Sequence, residues 1–294
     1  MFVAFLLMQF IISTKAGLVN YVDGQVNVHL HEQVPAGTPI QTGPHSHVEL
    51  LLNPGSFLRL DENSTVVFDS VELTNIAVRL IEGAALIETA EINKETRIRV
   101  TTGNLKVLIA SPGLYRFSDD TASVLDGKVL IDGSSRAIKK GREITSVGGN
   151  YLENAAIRFS DGLDLWSRQR SSDLARANAM AYHERPPSNG YTFGGYPLWG
   201  VLPLGSTWLY SPPFGGFTFI PVRTYRSYYG YRFFPLSGFV RHGLNVGRTV
   251  STSRSSSRTV GAPTRGSAIG SSGTSRPSYG GRMGGHVGGG HGRR

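Results

Sequence analysis

The 294-residue chain contains no cysteine. Disulfide bonds, thiol catalysis, zinc ribbons and iron–sulfur clusters are therefore excluded. The absence also argues against a lipid-anchored lipoprotein, because no cysteine follows the apolar start of the chain.

Lysine, aspartate and glutamate are all absent from residues 185–294, which nevertheless contain thirteen arginines. Subtracting these charges from the formal net charge of +9 leaves −4 for residues 1–184. The high isoelectric point is therefore a property of the C-terminal part, which is rich in Gly, Pro, Ser, Tyr and Arg. The N-terminal part is mildly acidic and has the alternating pattern of β-strands.

A long apolar run occurs at residues 1–12, MFVAFLLMQFII. The run is too short to span a bilayer, but it matches the apolar region of a secretory signal with a cleavage site near Ala16. The basic segment of that template is missing, since no Lys or Arg precedes Lys15. We expect residues 1–16 to be a signal peptide and the protein to be periplasmic or extracellular, not membrane-spanning. The alternative is a buried first strand or helix.

Apolar and polar residues alternate through residues 97–131, and turn-forming pairs such as Asp126-Gly127 separate the runs. Alternation places one set of side chains on a core face, and Asp-Gly pairs suit tight hairpins. The pattern predicts an all-β domain over residues 17–150, either an antiparallel sandwich or a curled β-roll of short hairpin strands. Strands are expected near 18–22, 25–30, 47–52, 56–61, 65–73, 77–82, 84–90, 97–101, 105–109, 114–118, 122–126, 128–132 and 142–146.

A rhythm of hydrophobic residue, turn, Gly and Val recurs at residues 21–28, 81–87 and 125–131. Further pieces lie at 40–43, 46–52, 55–60 and 64–66. In this order and spacing the chain resembles FecR-domain proteins over roughly residues 17–150. The resemblance implies a β-rich, non-catalytic domain of the cell envelope.

Residues 154–185 change to a helical period, and a helix is expected near 161–182. Ser160 or Asp161 is a candidate N-cap, and Pro186-Pro187 ends the segment. The helix either docks on the β domain or serves as a stalk. The residues expected on one broad apolar face are Ile157, Leu163, Trp166, Leu174, Ala177, Met180 and Ala181, with Arg168, Arg170 and Arg176 elsewhere.

Residues 186–240 are aromatic and rich in Gly and Pro, and residues 208–221 resemble segments that follow FecR domains in acidobacteria. With little aliphatic material for a core, this segment is expected to form an adhesive surface rather than a second globule. Residues 241–294 are expected to be disordered. The candidate binding residues are Tyr210, Tyr228, Tyr229, Tyr231, Arg223, Arg226 and Arg232.

Two histidine pairs, His29 with His31 and His45 with His47, have the spacing of a metal site on a strand. No carboxylate completes either set, so surface histidines on a hairpin are the favoured interpretation. Carboxylates otherwise occur singly at turns, and no nucleophile or phosphate-binding motif is present. The sequence predicts neither an enzyme nor a bound cofactor.

Three functions remain open. The first is an exported envelope protein that binds an envelope protein or an anionic polysaccharide, without catalysis. The second is a FecR-like regulator of a sigma factor, which requires a preceding membrane-spanning segment. The third is nucleic-acid binding by the Arg-rich tail, which export argues against.

Overall fold

The computed structural model describes residues 15–92, 95–134, 136–156, 160–183, 192–193, 196–197 and 205–237. The predicted signal sequence up to residue 14 and the predicted disordered tail at 241–294 lie outside these residues. None of the helices in the described part is long and apolar enough to cross a membrane.

In the part of the chain that the structure describes, fifteen strands precede the helix. They are β1 Leu18–Asp23, β2 Pro39–Gln41, β3 His47–Leu51, β4 Ser56–Leu60, β5 Thr65–Glu72, β6 Asn75–Glu82, β7 Ala84–Thr89, β8 Ile98–Thr102, β9 Leu105–Ile109, β10 Gly113–Ser118, β11 Thr121–Asp126, β12 Lys128–Ile131, β13 Ala137–Lys139, β14 Arg142–Val147 and β15 Asn150–Ala155.

The strands form two sheets around one core, which confirms the all-β prediction. Sheet 1 has eight strands in the order β1-β3-β4-β7-β10-β11-β14-β15, and sheet 2 has seven in the order β13-β12-β9-β8-β6-β5-β2. Neighbouring strands are antiparallel except β6 and β8, which are parallel. The parallel pair arises because the chain leaves sheet 2 after β6, adds β7 to sheet 1 and then returns.

The strand expected at 25–30 is wrong, because this segment holds only an isolated bridge between Val26 and Thr42. The Asn27 side chain replaces part of the missing ladder: its amide donates to the Pro39 carbonyl at 3.0 Å and accepts the Gln41 N–H at 2.7 Å. Three strands were not predicted. Of these, β2 and β13 have three residues each, and β15 has no buried residue to produce an alternating pattern.

Helix α1, Gly162–His183, confirms the predicted helix, and the Asp161 carboxylate caps it by accepting the Asp164 N–H at 3.1 Å. The helix docks on sheet 1, so the stalk alternative is wrong. The predicted helix face needs two corrections. Arg170 is buried because the Glu49 carboxylate on sheet 1 compensates its guanidinium, and Met180 is 40% exposed.

The C-terminal segment contains β16 Thr192–Phe193, β17 Tyr196–Pro197, β18 Thr207–Ser211, β19 Gly216–Ile220, β20 Tyr225–Arg226 and β21 Arg232–Phe233. Trp208, Phe219 and Phe233 are buried in a second core against sheet 1 and α1. The expectation that this segment lacks a core is therefore wrong for these rings. Sheet 1 supplies the aliphatic partners, including Leu51, so the segment needs no core of its own.

Candidate functional site

Four buried charged side chains between sheet 1 and α1 are joined to one another by ion pairs, and we call Glu49, Arg59, Glu88 and Arg170 the ionic cluster. Arg59 Nε lies 2.9 Å from Glu49 Oε2, and Arg59 Nη1 lies 2.8 Å from Glu88 Oε2. Arg170, from the helix, places Nη2 2.9 Å from Glu49 Oε1. Two carboxylates balance two guanidinium groups, so the cluster is neutral when all four are ionised.

Burial alone raises the pKa of Glu49, but the guanidinium groups of Arg170 and Arg59 outweigh it and lower this pKa to about 2. Burial likewise opposes the charge on Arg59, yet Glu49 and Glu88 raise its pKa above the normal range. Both groups therefore stay charged at neutral pH. This fixed ionisation suits a structural joint between helix and sheet rather than proton transfer.

Neutral side chains add hydrogen bonds to the cluster. Ser167 accepts from Arg59 Nη1 at 2.6 Å, and Ser171 donates to Glu88. Asn20 Nδ2 donates to Glu49 Oε1 at 2.9 Å and to the Phe217 carbonyl at 3.0 Å. The cluster thus connects β1, the helix and the C-terminal hairpin.

An aromatic contact lies beside the cluster. The His47 ring stacks on Trp166 of the helix with centroids 4.7 Å apart, and His47 Nε2 is 3.5 Å from Asp61 Oδ1. Tyr21 receives the Arg170 guanidinium over its ring face at 4.1 Å. These contacts fix the same helix face that the ionic cluster holds.

Strand β15 forms an open edge of sheet 1, since no other described strand pairs with its outer side. The Ala156 N–H donates to the Gly141 carbonyl at 2.9 Å. Because hydrogen-bonded pairs alternate along an antiparallel ladder, the backbone N–H and C=O groups of Tyr151, Glu153 and Ala155 point away from β14. The edge therefore offers a row of unpaired backbone donors and acceptors.

Apolar side chains border this open edge. Leu152 and Val147 are each 53% exposed, and Tyr151 is 38% exposed. Glu153 is held by Arg136 and Arg142, each at 2.8 Å. An exposed strand edge with apolar side chains beside it is a geometry that accepts an added strand from a binding partner.

The structure does not place either histidine pair on one strand face. His31 and His45 both have a positive φ, 66° and 51°, outside any strand. His31 Nε2 contacts the Gly215 carbonyl at 2.9 Å, and His45 Nδ1 lies 3.3 Å from Glu62. The strand geometry assumed for the metal interpretation is therefore wrong. Within the described part of the chain, no group of three or more His, Asp or Glu side chains could hold a metal ion.

The predicted binding residues of the C-terminal segment differ in their contacts and in their exposure. Tyr229 donates to Asp164 at 3.1 Å and is largely enclosed, which raises its pKa. Tyr210 packs edge-on against His31, and Arg226 donates to the Gly230 carbonyl at 2.9 Å. The Arg232 guanidinium lies over the Phe234 ring. Of the remaining three, Arg223 and Tyr228 are exposed and Tyr231 is half-buried.

The sequence interpretation missed both the ionic cluster and the open edge. A signal for the cluster exists: Glu49 and Arg59 are single charges in otherwise apolar strands, HVELL and SFLRL. The pairing of Glu49 with Arg59 across the ladder explains both. The edge gave no signal, because β15 lacks buried residues.

Comparison with known proteins gives a family match for the central part of the β domain. Residues 38–130, from β2 into β12, match the family described as FecR protein. None of the curated proteins matches the chain. Two crystal structures of a candidate anti-sigma factor from Parabacteroides distasonis are similar, each 17% identical with a TM-score of 0.36. The match to the first structure covers 49% of this chain and 74% of the neighbour, and the match to the second covers 54% of this chain and 82% of the neighbour. The family match, on a two-sheet fold with the predicted strand rhythm, identifies residues 38–130 as a FecR domain.

Proposed function

We propose that this is an exported, non-catalytic cell-envelope protein that binds another protein through the open edge of β15. The single observation that carries the proposal is the row of unpaired backbone groups at Tyr151, Glu153 and Ala155. A partner strand pairs with these groups, and the exposed Leu152 and Tyr151 add apolar contact.

The remaining features of the chain are consistent with binding rather than catalysis. The ionic cluster is closed and neutral, and it fixes α1 on the outer face of sheet 1. Strand β15 lies at the far end of the same sheet, past β11 and β14, so a partner strand extends a sheet whose other strands are already anchored. Export is supported by the apolar run at residues 1–12.

The binding part is tested with a photo-crosslinking amino acid at Leu152, introduced into the full chain in the host cell. A defined adduct is expected at this position. The matched control is the same amino acid at Ile81, which is 54% exposed but belongs to sheet 2. Ala155→Pro removes one outward N–H and is expected to abolish the adduct while the protein remains folded. An adduct that persists in Ala155→Pro, or that forms equally at Ile81, rejects strand addition at β15.

The export part is tested by cell fractionation with N-terminal sequencing of the mature protein. A cleaved chain outside the cytoplasm is expected. Ala16 is fully buried, and its N–H donates to the Val71 carbonyl at 2.7 Å. A cut after Ala16 would therefore remove a residue that packs in the β domain, whereas a cut before it would keep this contact. An uncleaved chain recovered from the cytoplasm rejects export.

A second candidate function is regulation of a sigma factor, and the FecR match over residues 38–130 is the observation that favours it. Deleting the gene then changes transcription from promoters that depend on one sigma factor, and restoring the gene reverses the change. Unchanged sigma-factor-dependent transcription in the deletion strain rejects this candidate.

A further inference from the structure

The outer face of sheet 2 is cationic, although residues 1–184 carry −4 overall. Alternation along the strands places core residues such as Val100 and Val107 inside and their neighbours outside. Helix α1 and the described hairpins β18–β19 and β20–β21 pack on sheet 1 rather than on this face. The cations at outward positions are Arg79, Arg97, Arg99, Lys106, Lys128 and Lys139, and the carboxylates are Asp69, Glu72, Glu82 and Asp132.

Most of these cations have no compensating carboxylate. Asp69 is held by Arg79 at 2.6 Å, and Glu72 by Lys15 at 3.5 Å. Among the described residues, the other five cations of the face take part in no ion pair, and Arg99 only donates to the Asn75 carboxamide. Fixed positive charge is therefore concentrated on one side of an otherwise acidic part of the chain.

Three of the unpaired cations form a straight row across four neighbouring strands. Lys139 on β13 lies directly opposite Lys128 on β12. Lys128 in turn accepts the N–H of Ala110, which follows β9, with its carbonyl at 2.9 Å. The β8–β9 register, in which Ile98 faces Ile109, continues to put Arg97 opposite Ala110. With strands about 4.8 Å apart, the row from Lys139 to Arg97 is about 14 Å long.

The pairing of Lys128 with Lys139 costs the fold stability, since like charges directly opposite each other on one face repel. The neighbouring Lys140, by contrast, is paired with Asp126 at 3.0 Å. An anionic ligand along the row removes this repulsion, and Ala110 leaves room for it between Arg97 and Lys128.

The surroundings of the row favour a sugar polymer over other polyanions. Nucleic-acid bases stack on aromatic rings, and the described outer face of sheet 2 has none. Lipid surfaces are bound by a set of projecting apolar side chains. Among the described large apolar residues of this face only Ile81 is strongly exposed, at 54%, whereas Leu108 and Leu130 are half-buried. Hydroxyl and amide groups at Ser70, Asn75 and Thr101 on this face can complement sugar hydroxyls.

We infer that the outer face of sheet 2 binds a linear acidic polysaccharide, whose repeated carboxylates lie along the row of Arg97, Lys128 and Lys139. The row is on sheet 2 and the β15 edge is on sheet 1, so polysaccharide binding at the row does not depend on the proposed protein binding.

The test measures binding of the full chain to polygalacturonate at about 50 mM and about 200 mM salt, with neutral dextran as the uncharged polymer. We expect binding that weakens with salt, and no binding to dextran. In the triple variant Arg97→Gln, Lys128→Gln, Lys139→Gln, affinity is expected to fall about tenfold. The melting temperature of the double variant Lys128→Gln, Lys139→Gln is expected to be unchanged or higher, because the repulsion is removed.

Two control variants distinguish binding by the row from binding by other positively charged residues of the chain. Lys140→Gln removes a neighbouring cation off the row and is expected to leave affinity unchanged. Arg254→Gln, Arg258→Gln, Arg265→Gln removes three charges from the C-terminal tail and is expected to weaken binding less than the row variant. The inference is overturned if the row variant binds as well as the natural chain, or if the tail variant loses as much. It is also overturned if RNA or anionic phospholipid vesicles bind more tightly than polygalacturonate in a row-dependent manner.

Discussion

Glu49 on β3 and Arg59 on β4 are directly opposite each other in the ladder and form a 2.9 Å ion pair with neither side chain exposed. Taking both charges out of water is costly, so such a pair need not add net stability. Its role here is positional, because Arg170 of the helix completes the same cluster. A helix shifted along the sheet would leave Glu49 with one guanidinium instead of two.

Removing Arg59 is predicted to destabilise the protein strongly. Arg59→Met leaves Glu49 with Arg170 alone and Glu88 without an ionic partner in the cluster, and the free energy of unfolding is expected to fall by about 3–5 kcal/mol. Urea denaturation measures this change. The control is Arg79→Met, which breaks the exposed pair with Asp69 and is expected to cost less than about 1 kcal/mol. Equal effects of the two substitutions would contradict the buried cluster.

Acid is predicted to weaken the fold through Glu49. Its pKa is about 2 in the folded protein against the usual 4.5. A lowered pKa means that the stabilising contribution is complete above about pH 5 and is lost as the pH falls from the usual value towards 2. The loss is on the order of 3 kcal/mol. Denaturation midpoints measured from pH 6 to pH 2 should show this slope, and Glu49→Gln should flatten it.

A methyl group at Gly127 is predicted to disrupt the turn between β11 and β12. Gly127 has a φ of 89°, and a Cβ there would collide with the Tyr115 hydroxyl. That hydroxyl accepts the Lys128 N–H at 3.0 Å and donates to the Ser111 carbonyl at 2.6 Å.

The matched control for this turn is Gly141, which has a φ of 78° and nothing near its Cβ position. Gly141→Ala carries only the backbone strain of a positive φ, about 1 kcal/mol, whereas Gly127→Ala adds the collision and is expected to cost clearly more. Thermal unfolding of both variants tests this, and equal melting temperatures would refute the packing of Tyr115 against the turn.

Truncating Phe219 is predicted to loosen the C-terminal hairpin. The ring is fully buried and lies so close to Gly55 that a Cβ there would meet it at 2.8 Å. Phe219→Ala is expected to cost about 3–5 kcal/mol. Limited proteolysis of residues 205–237 should then accelerate, whereas Tyr228→Ala, at a side chain that is 39% exposed, should leave it unchanged.

Most of the strands could be predicted from the sequence because one face of each is buried. Ile98, Val100, Leu105 and Val107 alternate with polar residues, and this period is visible without any tertiary information. The parallel pairing of β6 with β8 was not predictable, since it depends on β7 joining the other sheet. The short β2 and β13 are too brief to show a period.

The polar interior was not predictable for a related reason. Arg170 belongs to a helix face that a hydrophobic period assigns to solvent, and only Glu49 on a distant strand makes its burial favourable. The burial of Trp208 and Phe219 has the same origin. A segment poor in aliphatic residues packs well when another element provides apolar partners, here Leu51 and Phe57 of sheet 1.

Asn20 also receives the N–H of Phe217 on its side-chain oxygen at 2.7 Å. Strand β1 and the β18–β19 hairpin are therefore hydrogen-bonded to each other although they are far apart in the sequence. A fragment limited to residues 38–130 lacks β1, this hairpin and Arg170. Leu51, Phe57 and the Arg59 guanidinium of β4 are therefore exposed to water in the fragment. The FecR domain expressed as residues 38–130 should consequently aggregate. A fragment that keeps β1 and ends after residue 237 retains the helix and the hairpins that cover sheet 1.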